Sequence, residues 1–445
     1  MANIAQQPNT YNSAYVPNVW TIDGLAGADR YVLKVLINSQ VVATFKQPAN
    51  PSGVGIFDVS KVLQSYLEPY FDENITKASD TPGAFLSYQV EASTETGNSP
   101  GAAVVSLTKH VINAYDNWRV LNSDLSSFLP NPTDILCESN SNVNARYTSP
   151  LSFLTNFPGT YTVKEDEYHT LSFFARNTNI GPNWGPNEAP FFVSIKYYNA
   201  AGTQVTQGAY AIANNTGSTL RANCQDMTTN ITDTNSITTI GVGPQNQTAG
   251  GITWDNTWAS YKVEVYSYNH CMTTTIADCN DISEIISDGY LGDVIYTATF
   301  NVDYSCEKFT PITVSFINQY GVKDYFTFTK RNTKRVGTKR NEYTKPVGSW
   351  SSTTFSIDPH ERGRTVFSST SDTEMTLSTN WMEDNVSEWL RELYSSPSVM
   401  IYTDGQWEPV VITTATYDEK TYSRDQLFQH TMTVKYANNQ KIQRG

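Results

Sequence analysis

The chain has 445 residues, of which 39% are apolar and 16% charged, and its formal net charge is -13. That length holds about two to four domains with cores of their own. The acidic balance excludes general nucleic-acid binding, which needs Lys and Arg in excess to neutralise phosphates. Aromatic residues reach 12%, with 27 tyrosines and 9 tryptophans, so the expected surface is polar but weakly charged, suited to packing against neighbours.

Residues 1–15 read as an extended arm, since they lack the positive start and apolar stretch of a secretory signal. Nowhere does a run of about 18 apolar residues predict a membrane span. Residues 16–117 carry the pattern of an immunoglobulin-like β-sandwich. Tyr31, Leu33, Val35 and Ile37 alternate with their neighbours, Asn38-Ser39 supplies a turn, and Val41 to Phe45 returns, which predicts a hairpin. A strand at Gly55 to Phe57 leads to a short helix, with Asp58 placed as its N-cap, Val59, Leu63, Tyr66 and Leu67 on one face, and Pro69 ending it. Further strands are expected at Phe85 to Val90 and Val104 to Leu107.

Residues 118–305 are richer in Asn, Thr and Gly and read as a jelly-roll-like β domain with long loops. Strands are expected at Tyr161 to Val163, His169 to Phe174, Phe191 to Tyr198, Ser236 to Val242 and Tyr261 to Tyr268, with a turn at Asn199 to Gly202. The loop from Asn177 to Glu188 holds two Gly-Pro pairs around Trp184 and is neither helix nor central strand.

Residues 306–445 form a C-terminal α+β domain, a sheet with one helix. Thr313 to Ile317 and Tyr325 to Thr329 predict a hairpin around Gly321. Asn380 with Glu383 matches a capping box, Val386, Trp389, Leu390 and Leu393 form the apolar stripe of a helix, and Pro397 stops it. Asp404-Gly405 turns a second hairpin, and Phe428, His430, Met432, Val434 and Tyr436 alternate in a final strand. The fold class is therefore mainly β with a minor α+β part, in several domains.

The chemistry-bearing motifs are sparse. No nucleophile elbow, P-loop, zinc-protease helix or dinucleotide glycine pattern occurs, so the expectation is a protein without catalytic residues or cofactor. His110, His169, His270, His360 and His430 are scattered, and Glu165-Asp166-Glu167 reads as a solvated acidic loop more readily than as a hydrolase pair. Cys137, Cys224, Cys271, Cys279 and Cys306 are expected as reduced thiols. The spacing of His270, Cys271, Cys279 and Cys306 fits a zinc knuckle poorly, and a Cys271–Cys279 disulfide fits at least as well in an oxidising environment.

Two groups of residues suggest surfaces. The basic arm 330–340 places Lys330, Arg331, Lys334, Arg335, Lys339 and Arg340 in eleven positions; it could dock on an acidic subunit or lie near DNA, and a solvated arm is the plain alternative. Trp184, Trp254 and Trp258 lie in polar surroundings that suit stacking on a glycan or on a partner protein.

The stretches Trp20-Thr21-Ile22-Asp23-Gly24-Leu25 through Gly55-Ile56-Phe57-Asp58-Val59-Ser60-Lys61-Val62-Leu63, and Trp389-Leu390-Arg391-Glu392-Leu393-Tyr394-Ser395-Ser396-Pro397 followed by a hairpin, resemble virion proteins of tailed phages of gut Bacteroidetes, the crAss-like group above all. The likeness covers the two ends of the chain. It implies a non-enzymatic component of the virion tail: a hub, ring or collar subunit that forms a homo-oligomeric ring and connects other tail or portal proteins, or tail fibres. The alternative is a receptor-binding or carbohydrate-binding adhesin working through the central sandwich.

Overall fold

The computed structural model describes residues 2–25, 27–69, 78–80, 83–115, 124–125, 128, 151–176, 191–212, 235–268, 291–357, 360, 363–414, 427–438 and 440–441. The chain is mainly β and folds into several sandwiched sheets. It divides into two compact units, Met1–Tyr304 with Ile317–Asp324, and Ser305–Phe316 with Tyr325–Gly445.

The first unit begins with strands β1 (Asn3–Gln6), β2 (Tyr11–Ser13), β3 (Val19–Asp23), β4 (Arg30–Ile37), β5 (Gln40–Gln47) and β6 (Gly55–Asp58), then helix α1 (Ser60–Gln64). Strands β7 (Ala78–Asp80), β8 (Phe85–Thr96), β9 (Ser99–Pro100), β10 (Val104–Val105) and β11 (Lys109–Ile112) follow. One sheet runs β1-β3-β6 and the other β2-β11-β8-β4-β5, with β9 and β10 attached to β8. Their facing sides share a core of Trp20, Ile22, Phe57, Tyr31, Leu33, Val35, Tyr88 and Val90, closed by Leu63 of α1. The alternation expected from Tyr31 to Ile37 is thus the buried face of a real hairpin, turned by Asn38 and Ser39 at φ 49° and 62°.

Two local expectations change here. The N-terminal stretch is extended but not a free arm: β1 pairs antiparallel with β3, β2 pairs parallel with β11, and Ala2, Tyr11 and Ala14 are buried. Asp58 is not the N-cap of α1, a position held by Val59. Instead its carboxylate accepts the backbone N–H groups of Asn18 at 3.1 Å and Ser60 at 2.9 Å, tying β3 to the helix start.

Still within the first unit lie β12 (Tyr161–Val163), β13 (Thr170–Arg176), β14 (Phe191–Asn199), β15 (Gln204–Ile212), β16 (Asn235–Gly241), α2 (Pro244–Ala249), β17 (Trp258–Tyr268) and β18 (Leu291–Val302). A five-stranded sheet, β12-β18-β17-β14-β15, faces a three-stranded one, β13-β16-β7. The core between them is aromatic. Phe157, Tyr161, Phe300 and Tyr261 stack in succession, with centroids 4.2, 4.7 and 4.8 Å apart. His169 is buried against this column, its ring edge-on to Tyr161 at 4.6 Å and to Phe300 at 5.2 Å. A third cluster, including Tyr11, Ile112, Leu154, Phe174, Ile237 and Val322, joins the two sandwiches into one unit.

On the same five-stranded sheet, Lys196 lies directly across from Lys262, and buried Glu264 holds both. Its carboxylate accepts from Lys196 Nζ at 2.7 Å, Lys262 Nζ at 2.5 Å and the Tyr266 hydroxyl at 2.5 Å. Burial opposes its ionisation, but the bonds from Lys196, Lys262 and Tyr266 win and bring the carboxyl down to about 2. Glu264→Ala leaves two facing ammonium groups without a counter-charge. We expect a loss of about 2 kcal/mol in urea unfolding, less than for a fully buried pair because both lysines reach solvent.

The second unit's sheet comprises β19 (Ile312–Ile317), β20 (Lys323–Phe328), β21 (Thr333–Lys345), β24 (Gly363–Ser378), β26 (Val399–Thr403), β27 (Gln406–Ile412) and β29 (Thr431–Tyr436). Strand β30 (Gln440–Lys441) pairs with β24, and the separate two-stranded pairs β22 (Ser349–Ser351) with β23 (Thr354–Ser356) and β25 (Met382–Glu383) with β28 (Leu427–Phe428), together with helix α3 (Asp384–Ser395), complete the unit. The order is β20-β19-β26-β27-β29-β24-β21. Trp389 packs α3 against the sheet through Phe316 at 5.4 Å and Phe326 at 6.1 Å. The stripe residues Trp389, Leu390 and Leu393 are buried, as their spacing predicts. The helix starts three residues later than the Asn380 capping box suggests, with Glu383 at its N-cap, because Met382 and Glu383 are drawn into a pair with Phe428 and Leu427.

Candidate interaction surface

Strand β21 is the edge of its sheet, and its side chains are exposed from Thr333 to Thr344. It pairs with β24 along its whole length, from Thr333↔Thr376 to Lys345↔Gly363, with one irregularity at Asn341/Glu342 that leaves Phe367 out of register. On its other side, among the described residues, β24 is covered by β29 from Glu374 to Ser378 and by β30 at Thr370 and Ser371. Beyond that point, among the described residues, β21 and β24 continue as a two-stranded ribbon. The small β22–β23 hairpin, in which Trp350 opposes Phe355, lies between them in sequence.

The basic arm of the sequence is therefore mostly strand. Lys330 and Arg331 sit in the connection before β21, Lys330 half-buried and Arg331 exposed. Within β21 the two-residue period sends Lys334 and Arg340 to one face and Arg335 and Lys339 to the other. Lys334 follows the face of buried Met375, its register partner, and its ammonium lies 5.2 Å from the Tyr436 ring. Arg335 opposes Glu374 on the far face. The four cations within β21 thus form two short rows on opposite sides of one ribbon, not a single stripe.

What the charge run concealed is apolar. Of the eighteen large apolar side chains exposed among the described residues, seven fall between 336 and 367: Val336, Tyr343, Val347, Trp350, Phe355, Ile357 and Phe367. Trp350 is 70% exposed and Val347 67%. Tyr343 and Phe367 meet edge-to-face with centroids 6.3 Å apart. A two-sided exposed strand shows no apolar alternation, so period-two reading passes over it. The density of Trp, Phe and Tyr within 343–367 was the available signal.

The tryptophans proposed for stacking fall elsewhere. Trp258 is buried and stacks on Tyr197 with centroids 4.0 Å apart. Half-buried Trp254 meets Trp258 edge-on at 5.1 Å and donates its indole N–H to the Tyr304 hydroxyl at 3.2 Å. Both rings are committed to the core of the second sandwich, while Trp184 lies outside the described residues. We expect Trp258→Ala to lower stability by about 3 kcal/mol and Trp350→Ala by less than about 0.5 kcal/mol, read by thermal unfolding.

The ionisable groups show the same structural use. Glu165 and Asp166 are exposed, but Glu167 is buried. His110 stacks on Tyr11 at 4.8 Å and lies 2.9 Å from Ser87 Oγ. Among the described residues no group of three or more His, Cys, Asp or Glu is placed to hold a metal. Cys306 is an exposed free thiol, and Cys137, Cys224, Cys271, Cys279 and His270 lie outside the described residues. No described helix is long and apolar enough to cross a membrane.

No protein-family model matches the chain, and no curated protein does. Solved structures with some likeness include a two-domain fibronectin type III segment of chicken tenascin, at 10% identity over 60% of this chain and 89% of that one, with a TM-score of 0.18. Fibronectin(III)-like modules of Clostridium thermocellum CbhA match at 8% identity over 68% and 93%, with a TM-score of 0.15. A tetra-tandem repeat from the extending region of a large adhesion protein matches at 10% identity over 100% and 89%, with a TM-score of 0.19.

Proposed function

We propose that this chain is a structural subunit of a phage tail, a hub, ring or collar component that assembles around the tail axis. Its partners in this reading are copies of itself and neighbouring portal-proximal, tail or fibre proteins. The observation that carries the reading is the β21–β24 ribbon with its β22–β23 hairpin, which exposes aromatic and basic side chains together. Exposed apolar groups concentrated in one place mark association surfaces, and aromatic residues with arginine are enriched at interface centres. The function is then geometric, and the buried ionisable groups serve packing.

The test is cryo-electron microscopy of the source particle together with mass photometry of the purified chain. Closed rings, or density for the chain at a tail or portal vertex, are the expected result. A strict monomer absent from any particle would overturn the reading.

A further inference from the structure

We propose that the β21–β24 ribbon seats on an acidic face of a second copy of this chain. The inference rests on the assembly reading above and supplies its contact surface. Lys and Arg on an edge strand ordinarily discourage association by keeping the free backbone groups solvated. An edge built only for that purpose would carry charges and few exposed apolar groups. This ribbon and the β22–β23 hairpin that follows β21 in the chain instead expose Val336, Tyr343, Trp350, Phe355 and Phe367 alongside the cations. Two-stranded ribbons are marginal in water by themselves, so the part of β24 from Gly363 to Ser369, which among the described residues pairs with β21 alone, is completed by a covering surface.

Charge selects the occupant. Residues 330–345 hold seven Lys or Arg against one Glu, a net +6, which leaves -19 on the remainder of a chain whose total is -13. A second copy therefore carries, outside its own ribbon, the net negative charge that complements the ribbon's cations. Ribbon-to-ribbon pairing would set like charges together, a costly arrangement, so the contact joins two different faces. Such a head-to-tail contact repeats around a ring or along a filament.

The full-length chain is tested by mass photometry and sedimentation at about 0.1 M and about 1 M salt, between which the Debye length falls from about 10 Å to about 3 Å. Two charge-reversal variants, Arg335→Glu with Lys339→Glu and Lys334→Glu with Arg340→Glu, are compared with Trp350→Ser plus Phe355→Ser. Far-ultraviolet circular dichroism of each variant monitors the fold. Carbodiimide cross-linking of an equal mixture of light and heavy-isotope chain needs no variant and reads inter-copy contacts directly.

The expected result is oligomerisation that weakens about tenfold or more in the variants and at high salt, with Lys334, Lys339 or Lys345 cross-linked to a carboxylate of the other copy. Oligomers unaffected by every variant, with no such cross-link, would overturn the ribbon contact and leave the assembly reading intact. A strictly monomeric wild type would overturn both. Salt-sensitive binding of duplex DNA, lost in the charge variants with the oligomeric state unchanged, would assign the ribbon to nucleic acid and likewise overturn the inference.

Discussion

Replacing Gly321 with alanine is expected to lower the stability of the first unit by roughly 3 kcal/mol or more, through strain and overlap together. Gly321 adopts φ +77°, a left-handed conformation that side chains disfavour, and an added Cβ would lie 2.6 Å from the carbonyl carbon of Asn113 and 2.8 Å from its Cβ. Neither partner can yield easily. Asn113 donates its N–H to Ala84 at 2.9 Å, and the Gly321 N–H is bound to the Asn318 carbonyl at 3.0 Å. Buried Asn318 fixes that turn by donating from Nδ2 to the Leu154 carbonyl at 2.8 Å, while Tyr115 N–H donates to Gln319 at 3.0 Å. Gly202→Ala is the control: it also has positive φ, +75°, but nothing lies within 4 Å of its Cβ position. It should cost only about 1 kcal/mol, from conformation alone. Urea unfolding followed by circular dichroism separates the two, and equal midpoints for both variants would refute the packing argument.

Acid is expected to destabilise the first unit between about pH 6.5 and pH 3, and His169 is the group responsible. Burial pushes its imidazole down to about 3, against a smaller opposing effect from the Thr170 backbone. Below 6.5 the unfolded chain takes a proton on this residue that the folded chain refuses until about pH 3. The unfolded state therefore binds more protons across that window, and stability falls as pH falls through it. Each unit separating the two pKa values corresponds to about 1.4 kcal/mol, so the full loss is on the order of several kcal/mol. His169→Gln, neutral at every pH, should flatten this part of the profile. A profile unchanged by that substitution would assign the acid sensitivity to other groups. Glu264 titrates lower: its depressed carboxyl supports the fold above the unfolded carboxylate range, and that support is lost only as pH falls towards about 2.

Sequence reading succeeded where the deciding forces act over a few residues. Asp404-Gly405 turns its hairpin with φ 52° and 81°, conformations that Asp and Gly tolerate. The α3 stripe of Trp389, Leu390 and Leu393 is buried because helical geometry alone brings those positions to one side. It failed where a distant segment competes. The alternation from Phe428 to Tyr436 does not make one strand: Phe428 pairs with Met382, β29 begins at Thr431, and His430 at the break places Nε2 2.7 Å from Ser387 Oγ on α3.

The candidate surface was half legible for the same reason. Its cations stand together in the sequence, but their division between two faces follows from β21 pairing with a strand that lies well beyond it in the chain. Trp254 and Trp258 appeared available because their neighbours in the chain are polar, yet the residues that cover them, Tyr197 and Tyr261, are brought there by strand pairing. By itself the sequence determined the β-rich class, the hairpin turns and the face of the helix, all set by backbone preference and local periodicity. Only the tertiary structure decided which aromatics are buried, where the N-terminal strands pair and which edge stays open. Those outcomes depend on contacts between segments far apart in the chain, and no local pattern encodes them.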